Sequence, residues 1–260
     1  MKTKWFSMIP TLVFLSFMAL LVAITAAVGG KASEPSAPVY QPPKEEPELR
    51  RRVGGADDTA SRGFARGFAR GFIRAETSND KETPMPSLIA PLAPETVGIA
   101  ASKQPALFFY VSSAWPHEIR FTLNSEEEIE PILSIPLAGP AREGILKVDL
   151  KKHGVRLKPD VEYEWFVTIT PDQKERSADF FGSAVLKHRP PSKEFSDRLK
   201  NAPKDKHHYL YAEAGFFYDA IQEVCRLVDV NKEAKKFKRR RAALSEQVNL
   251  PVVAEYDRKK

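Results

Sequence analysis

Leu157-Lys158-Pro159-Asp160-Val161-Glu162-Tyr163-Glu164-Trp165-Phe166-Val167 reads as a proline-bearing turn that feeds an alternating strand. Tyr163, Trp165, Val167 and Ile169 fall on one face of that strand. At the corner of a β-sandwich, a tyrosine just past the turn tucks its hydroxyl back onto the turn backbone. Pro159, Tyr163 and Trp165 are therefore expected as structural corner residues. They specify an architecture and leave the activity open.

Further short strands are legible on both sides of this corner. Ala106 to Val111 is a dense apolar run. Ile119, Phe121 and Leu123 alternate with polar residues, as do Leu133, Ile135 and Leu137, and Leu146, Val148 and Leu150. Phe181 to Leu186 closes the series. Turn residues separate the runs at Trp115-Pro116, Asn124-Ser125, Gly139-Pro140, His153-Gly154 and Pro171-Asp172. About six or seven such strands predict an antiparallel, Ig/fibronectin-like β-sandwich over residues 88–188. The chain has no βαβ pattern and no Gly-rich phosphate loop, which argues against a nucleotide-binding architecture.

Upstream, Lys2 and Lys4 precede an uncharged run that extends to Gly30 and ends in small residues. Basic start, apolar middle and small-residue exit predict a signal peptide over residues 1–32, with a retained N-terminal anchor as the alternative. Either places the rest of the chain outside the cytoplasm, in the periplasm or secreted. Residues 33–87 are rich in Pro, Gly, Ser and charge and poor in Ile, Leu and Val. Such a segment buries too little apolar surface to offset the entropy of ordering, so disorder is expected. Within it a four-residue repeat sets Arg62, Phe64, Arg66, Phe68, Arg70, Phe72 and Arg74 at regular intervals. Alternating cations and aromatic rings suit an anionic polymer, held by charge and stacking. A low-complexity tether is the plainer reading.

Downstream of Arg189-Pro190-Pro191, residues 189–250 read as helical. Phe217, Ile221, Val224, Cys225 and Val228 recur at helical spacing. Tyr209 to Ala220, broken at Gly215, suggests a single tetratricopeptide-like (TPR-like) hairpin. One hairpin cannot bury its own apolar face. It must pack on the sandwich, pair with another chain or receive a partner helix. The basic run Lys235 to Arg241 is expected to be a solvated helix face, with an electrostatic docking patch as the alternative. Residues 251–260 are expected to form a flexible tail.

Charge is unevenly distributed. Lys and Arg less Asp and Glu leaves −3 on residues 88–188, +5 on 50–74 and +6 on 189–260. Basic flanks point to anionic neighbours: lipid headgroups, a surface polymer or an acidic envelope protein. Export argues against nucleic acid. Cys225, the single cysteine, is read as a small buried apolar residue. The five histidines show no metal-ligand spacing, and no nucleophile elbow is present. Arg176 and Asp179 fall between two strands. Their expected role is an ion pair that holds the loop, with an anionic ligand for Arg176 as the alternative. The sequence thus points to no cofactor, no metal centre and no catalytic group.

Leu92-Ala93-Pro94-Glu95-Thr96 followed by Gln104 to Val111, then Tyr163-Glu164-Trp165, Arg176-Ser177-Ala178-Asp179 with Gly182, and Tyr211 to Ala220 carry a resemblance in their order. Together they resemble domain-of-unknown-function family 928, exported bacterial proteins frequent in cyanobacteria. The resemblance spans about Leu88 to Val230. It implies export, a sandwich and a helical hairpin, and no catalytic residue. Family members often carry a cysteine after the Tyr/Trp strand; Thr170-Pro171-Asp172 lacks it. The expected function is an extracytoplasmic, non-enzymatic binding or adaptor module of the cell envelope. The rival readings are a hydrolase of envelope polymer and a structural subunit whose hairpin face is buried in a homo-oligomer.

Overall fold

The computed structural model describes residues 37–44, 52, 55–56, 85–171, 179–231 and 234–259. All of them belong to one unit, Ala37–Lys260. The strands are β1 (Gly55–Ala56), β2 (Leu88–Pro91), β3 (Gly98–Ala100), β4 (Ala106–Val111), β5 (Glu118–Ser125), β6 (Leu133–Ala138), β7 (Gly144–Asp149), β8 (Glu162–Ile169) and β9 (Phe180–His188). They form a four-stranded sheet ordered β1-β2-β4-β7 and a five-stranded sheet ordered β3-β9-β8-β5-β6. Every pairing is antiparallel except β3 with β9, which is parallel, so the all-antiparallel expectation is corrected at that edge.

Alternation explains how the sheets meet. Ile119, Phe121 and Leu123 of β5 and Tyr163, Trp165, Val167 and Ile169 of β8 turn inward, as do Leu107, Phe109 and Val111 of β4. These side chains fill one core between the sheets. Strand β4 is buried at all six positions, which is why it reads as a continuous apolar run and not an alternating one. Its second face, with Leu88 and Ala90 of β2, meets a layer of helices.

That layer comprises α1 (Lys193–Asn201), a 3-10 turn (Lys204–Lys206), α2 (His207–Glu213), α3 (Phe217–Val230), α4 (Ala234–Gln247) and α5 (Pro251–Lys259). Ser192 caps α1, its hydroxyl accepting from the Phe195 N–H at 3.1 Å. Gly215 joins α2 to α3 at φ +81°, and a Cβ there would stand 2.9 Å from the Gln41 carbonyl oxygen. Glycine meets both demands at once. Phe217, Ile221, Val224 and Cys225 of α3 pack against the β2–β4 face together with Leu244 of α4 and Val253 of α5. Of the three ways to cover the hairpin, the fold uses the sandwich itself.

Three expectations are corrected here. Residues 251–260 do not form a flexible tail over their described length: Pro251–Lys259 is α5, with Val253, Ala254 and Asp257 buried. The basic run is not wholly solvated, because Arg240 and Arg241 lie inside. Arg240 stacks between the Tyr209 and Phe237 rings, 5.0 Å from each centroid. Parts of the 33–87 segment are ordered on the domain. Tyr40 is buried edge-on against Phe217, and Arg52 spans to the Val248 and Asn249 carbonyls at 2.7 and 3.1 Å. The remainder of that segment, including the four-residue repeats, lies outside the described residues, as does the N-terminal apolar run. Among the described residues no helix is long and apolar enough to cross a membrane.

Candidate functional site

The turn that opens β8 is closed by Tyr163, whose hydroxyl oxygen accepts from the Lys158 N–H at 2.9 Å. Pro159 bridges to His188, and the Asp160 N–H donates to the His188 carbonyl at 2.8 Å. Trp165, two residues on, is fully buried in the core between the sheets. The corner residues thus tie the β7–β8 loop to β9. The other residues singled out for partners, Arg62, Phe64, Arg66, Phe68, Arg70, Phe72, Arg74 and Arg176, lie outside the described residues.

Beside the corner is a depression of about 280 Å³. Glu128 and Ile132 from the β5–β6 loop form part of its lining, and His153, Arg156 and Lys158 from the β7–β8 loop converge with Tyr163 on the rest. Lys158 is held by Glu127 at 2.6 Å, and that carboxylate raises the lysine's pKa through its hydrogen bond and charge. Glu128 is the one carboxylate in the lining. Glycoside hydrolysis by the usual route needs two carboxyl groups flanking the bond, and this lining does not supply them. Reading the sequence did not single out Arg156. The available signal was the density of basic residues in Lys151-Lys152-His153-Gly154-Val155-Arg156-Leu157-Lys158.

The outer faces of the two sheets differ. Helices cover the four-stranded sheet. On the five-stranded sheet, α1 reaches only one edge, where Phe195 and Phe216 pack on Ile99 and Val185. Register aligns Pro136, Arg120, Thr168 and Phe181 in one row, and Ser134, Thr122, Phe166 and the buried Ser183 in the next. Phe181 is 40 % exposed, with its ring 6.2 Å from that of Phe166. Among the described residues no helix covers this pair, in which Phe166 is half-buried and Phe181 exposed, and an exposed aromatic on a sheet face is the usual mark of a contact surface.

Asp219 and the Arg241–Asp257–Cys225 cluster are buried and bonded. Asp219 accepts from the Ala101 and Ser102 N–H groups at 2.6 and 3.1 Å. Burial pushes its pKa up to about 7 against the pull of those hydrogen bonds. Arg241 grips Asp257 with two hydrogen bonds, at 2.8 and 2.6 Å, and donates a third to the Cys225 sulfur at 3.3 Å. Burial raises the Cys225 pKa, with the Arg241 charge opposing. Among the described residues no group of three or more His, Cys, Asp or Glu could hold a metal ion.

The fold is a mostly antiparallel, two-sheet sandwich with a C-terminal helical layer on one face. The family model described as Domain of Unknown Function (DUF928) matches residues 59–257, and the chain belongs to that family. No curated protein and no solved structure matches it.

Proposed function

We propose that the protein is a non-enzymatic binding or adaptor module of the bacterial envelope, working outside the cytoplasm. An Ig/fibronectin-like sandwich presents the recognition surface, and a TPR-like α2–α3 hairpin braces its back. The observation that carries this reading is the asymmetry of the two outer faces. One is covered by the protein's own helices, and on the other, among the described residues, Phe181 is exposed beside a half-buried Phe166. The strand order, with the tyrosine corner entering β8, supports the Ig/fibronectin-like assignment. The basic 50–74 segment tethers the module to an anionic surface polymer or to lipid headgroups, and the open face engages an envelope protein.

The test compares proteins captured from envelope extract by the wild-type chain, by Phe181→Glu and by a chain lacking residues 50–74. The reading expects a specific protein lost with Phe181→Glu at unchanged thermal stability. It also expects anionic vesicles or polymer lost with the deletion. Identical capture by all three chains would overturn it.

A further inference from the structure

The geometry points to the depression beside the Tyr163 corner as a binding site for a carboxylate-bearing sugar ring, such as one unit of an acidic polysaccharide. The site is separate from the open sheet face and stands independently of the adaptor reading.

Tyr163 is only 3 % exposed. Its oxygen accepts from the Lys158 N–H, but its hydroxyl hydrogen has no acceptor among the described residues. Because Tyr163 lines the depression, its hydroxyl hydrogen is left to donate to a ligand oxygen at the base. Arg156 and His153 also line the space, and both are exposed. Neither makes an ion pair or side-chain hydrogen bond among the described residues. Lys158, by contrast, is already taken up by Glu127.

The walls are ordered in advance. Gln104 donates its side-chain N–H to the Val155 carbonyl at 2.8 Å. Leu157 N–H donates to the Lys103 carbonyl, and Ile132 N–H to the Leu123 carbonyl, both at 2.9 Å. A ligand entering between pinned loops has little ordering entropy to supply.

The lining selects the ligand class. A guanidinium fork matches a carboxylate with two parallel hydrogen bonds. Half-buried Ile132 and Val155 offer apolar contact to the C–H face of a ring. Glu128 accepts from hydroxyl groups. A bare anion would meet the Glu128 charge unfavourably, whereas a sugar acid sets its carboxylate and its hydroxyls apart. The volume of about 280 Å³ suits one ring.

The test is an NMR amide titration of the full chain with glucuronate, with glucose and inorganic phosphate in parallel. Glucuronate is expected to give saturable shifts at Val155, Arg156 and Lys158 that glucose and phosphate do not. Arg156→Gln is expected to weaken binding about tenfold, with the unfolding temperature unchanged because Arg156 is exposed. The assignment fails if glucuronate gives no saturable shift, if Arg156→Gln binds as tightly as wild type, or if glucose or phosphate binds equally well.

Discussion

Trp165 donates its indole N–H to the Tyr218 hydroxyl at 3.1 Å, and Tyr218 in turn donates to the Val185 carbonyl at 3.0 Å. Trp165 lies in β8 and Val185 in β9, while Tyr218 belongs to α3. The helical layer is therefore hydrogen-bonded into the interior of the sandwich and does not merely rest on its surface. Gly98 makes room for the Tyr218 ring: a Cβ there would stand 2.6 Å from the ring's Cε2.

Tyr218→Phe keeps the ring and removes the hydroxyl, leaving the buried Trp165 indole N–H without its acceptor and the Val185 carbonyl without this donor. The expected cost is about 1–3 kcal/mol, read as a lowered denaturation midpoint. Gly98→Ala is expected to cost a similar amount, about 1–3 kcal/mol, by displacing the ring. A midpoint unchanged in both variants would mean that the relay contributes nothing to stability.

Asp219 predicts a pH dependence with a definite sign. Its folded-state pKa of about 7 stands above the ordinary carboxyl value, so the native state holds the proton more tightly than the unfolded chain. The contribution to stability is full below about pH 4, where both states are protonated, and is lost as pH rises through about 7. Denaturation midpoints measured across this window are expected to fall with pH in the wild-type chain. In Asp219→Asn that component of the slope should vanish. The side-chain amide of this variant also turns an N–H toward one of the two backbone donors, so the variant is expected to be less stable at every pH.

The Arg241–Asp257 pair joins α4 to α5 with side chains 8 % and 0 % exposed. Asp257→Ala leaves a guanidinium buried without its carboxylate, at an expected cost of about 3–5 kcal/mol. Deleting residues 251–260 removes the same partner together with Val253 and Ala254, and should loosen the whole helical layer. Circular dichroism of the truncated chain checks this. Full retention of helix and stability would show that α5 is dispensable.

Cys225 supplies a built-in probe. It is 3 % exposed, and burial raises its thiol pKa. Only the thiolate reacts at a useful rate, so an alkylating reagent at neutral pH should modify it only when the helical layer opens. Labelling is expected to follow denaturation in wild type and to accelerate in Asp257→Ala. Rapid labelling of the native chain would contradict the burial.

Much of the sandwich was readable because period-two alternation is local. Ile119, Phe121 and Leu123 show their inward face without reference to any other strand, and so do Tyr163, Trp165 and Val167. The Lys158 to Tyr163 hydrogen bond spans five residues, so a turn and its tyrosine suffice to anticipate it. The depression was harder to find, because Glu128 and Ile132 meet Arg156 only after two loops are brought together. Asp219 gave no signal either: its donors, Ala101 and Ser102, lie more than a hundred positions upstream.

Strand periodicity, the helical stripe on α3 and the break at Gly215 are properties of neighbouring residues, and the chain alone decides them. Which side of a segment faces water is a different kind of question. Lys235 to Arg241 looks like solvated charge until Asp257, sixteen positions beyond Arg241, is folded beside it. A charge enters a core only where an opposite charge and matching donors are already in place, and that placement exists only once the layers have packed.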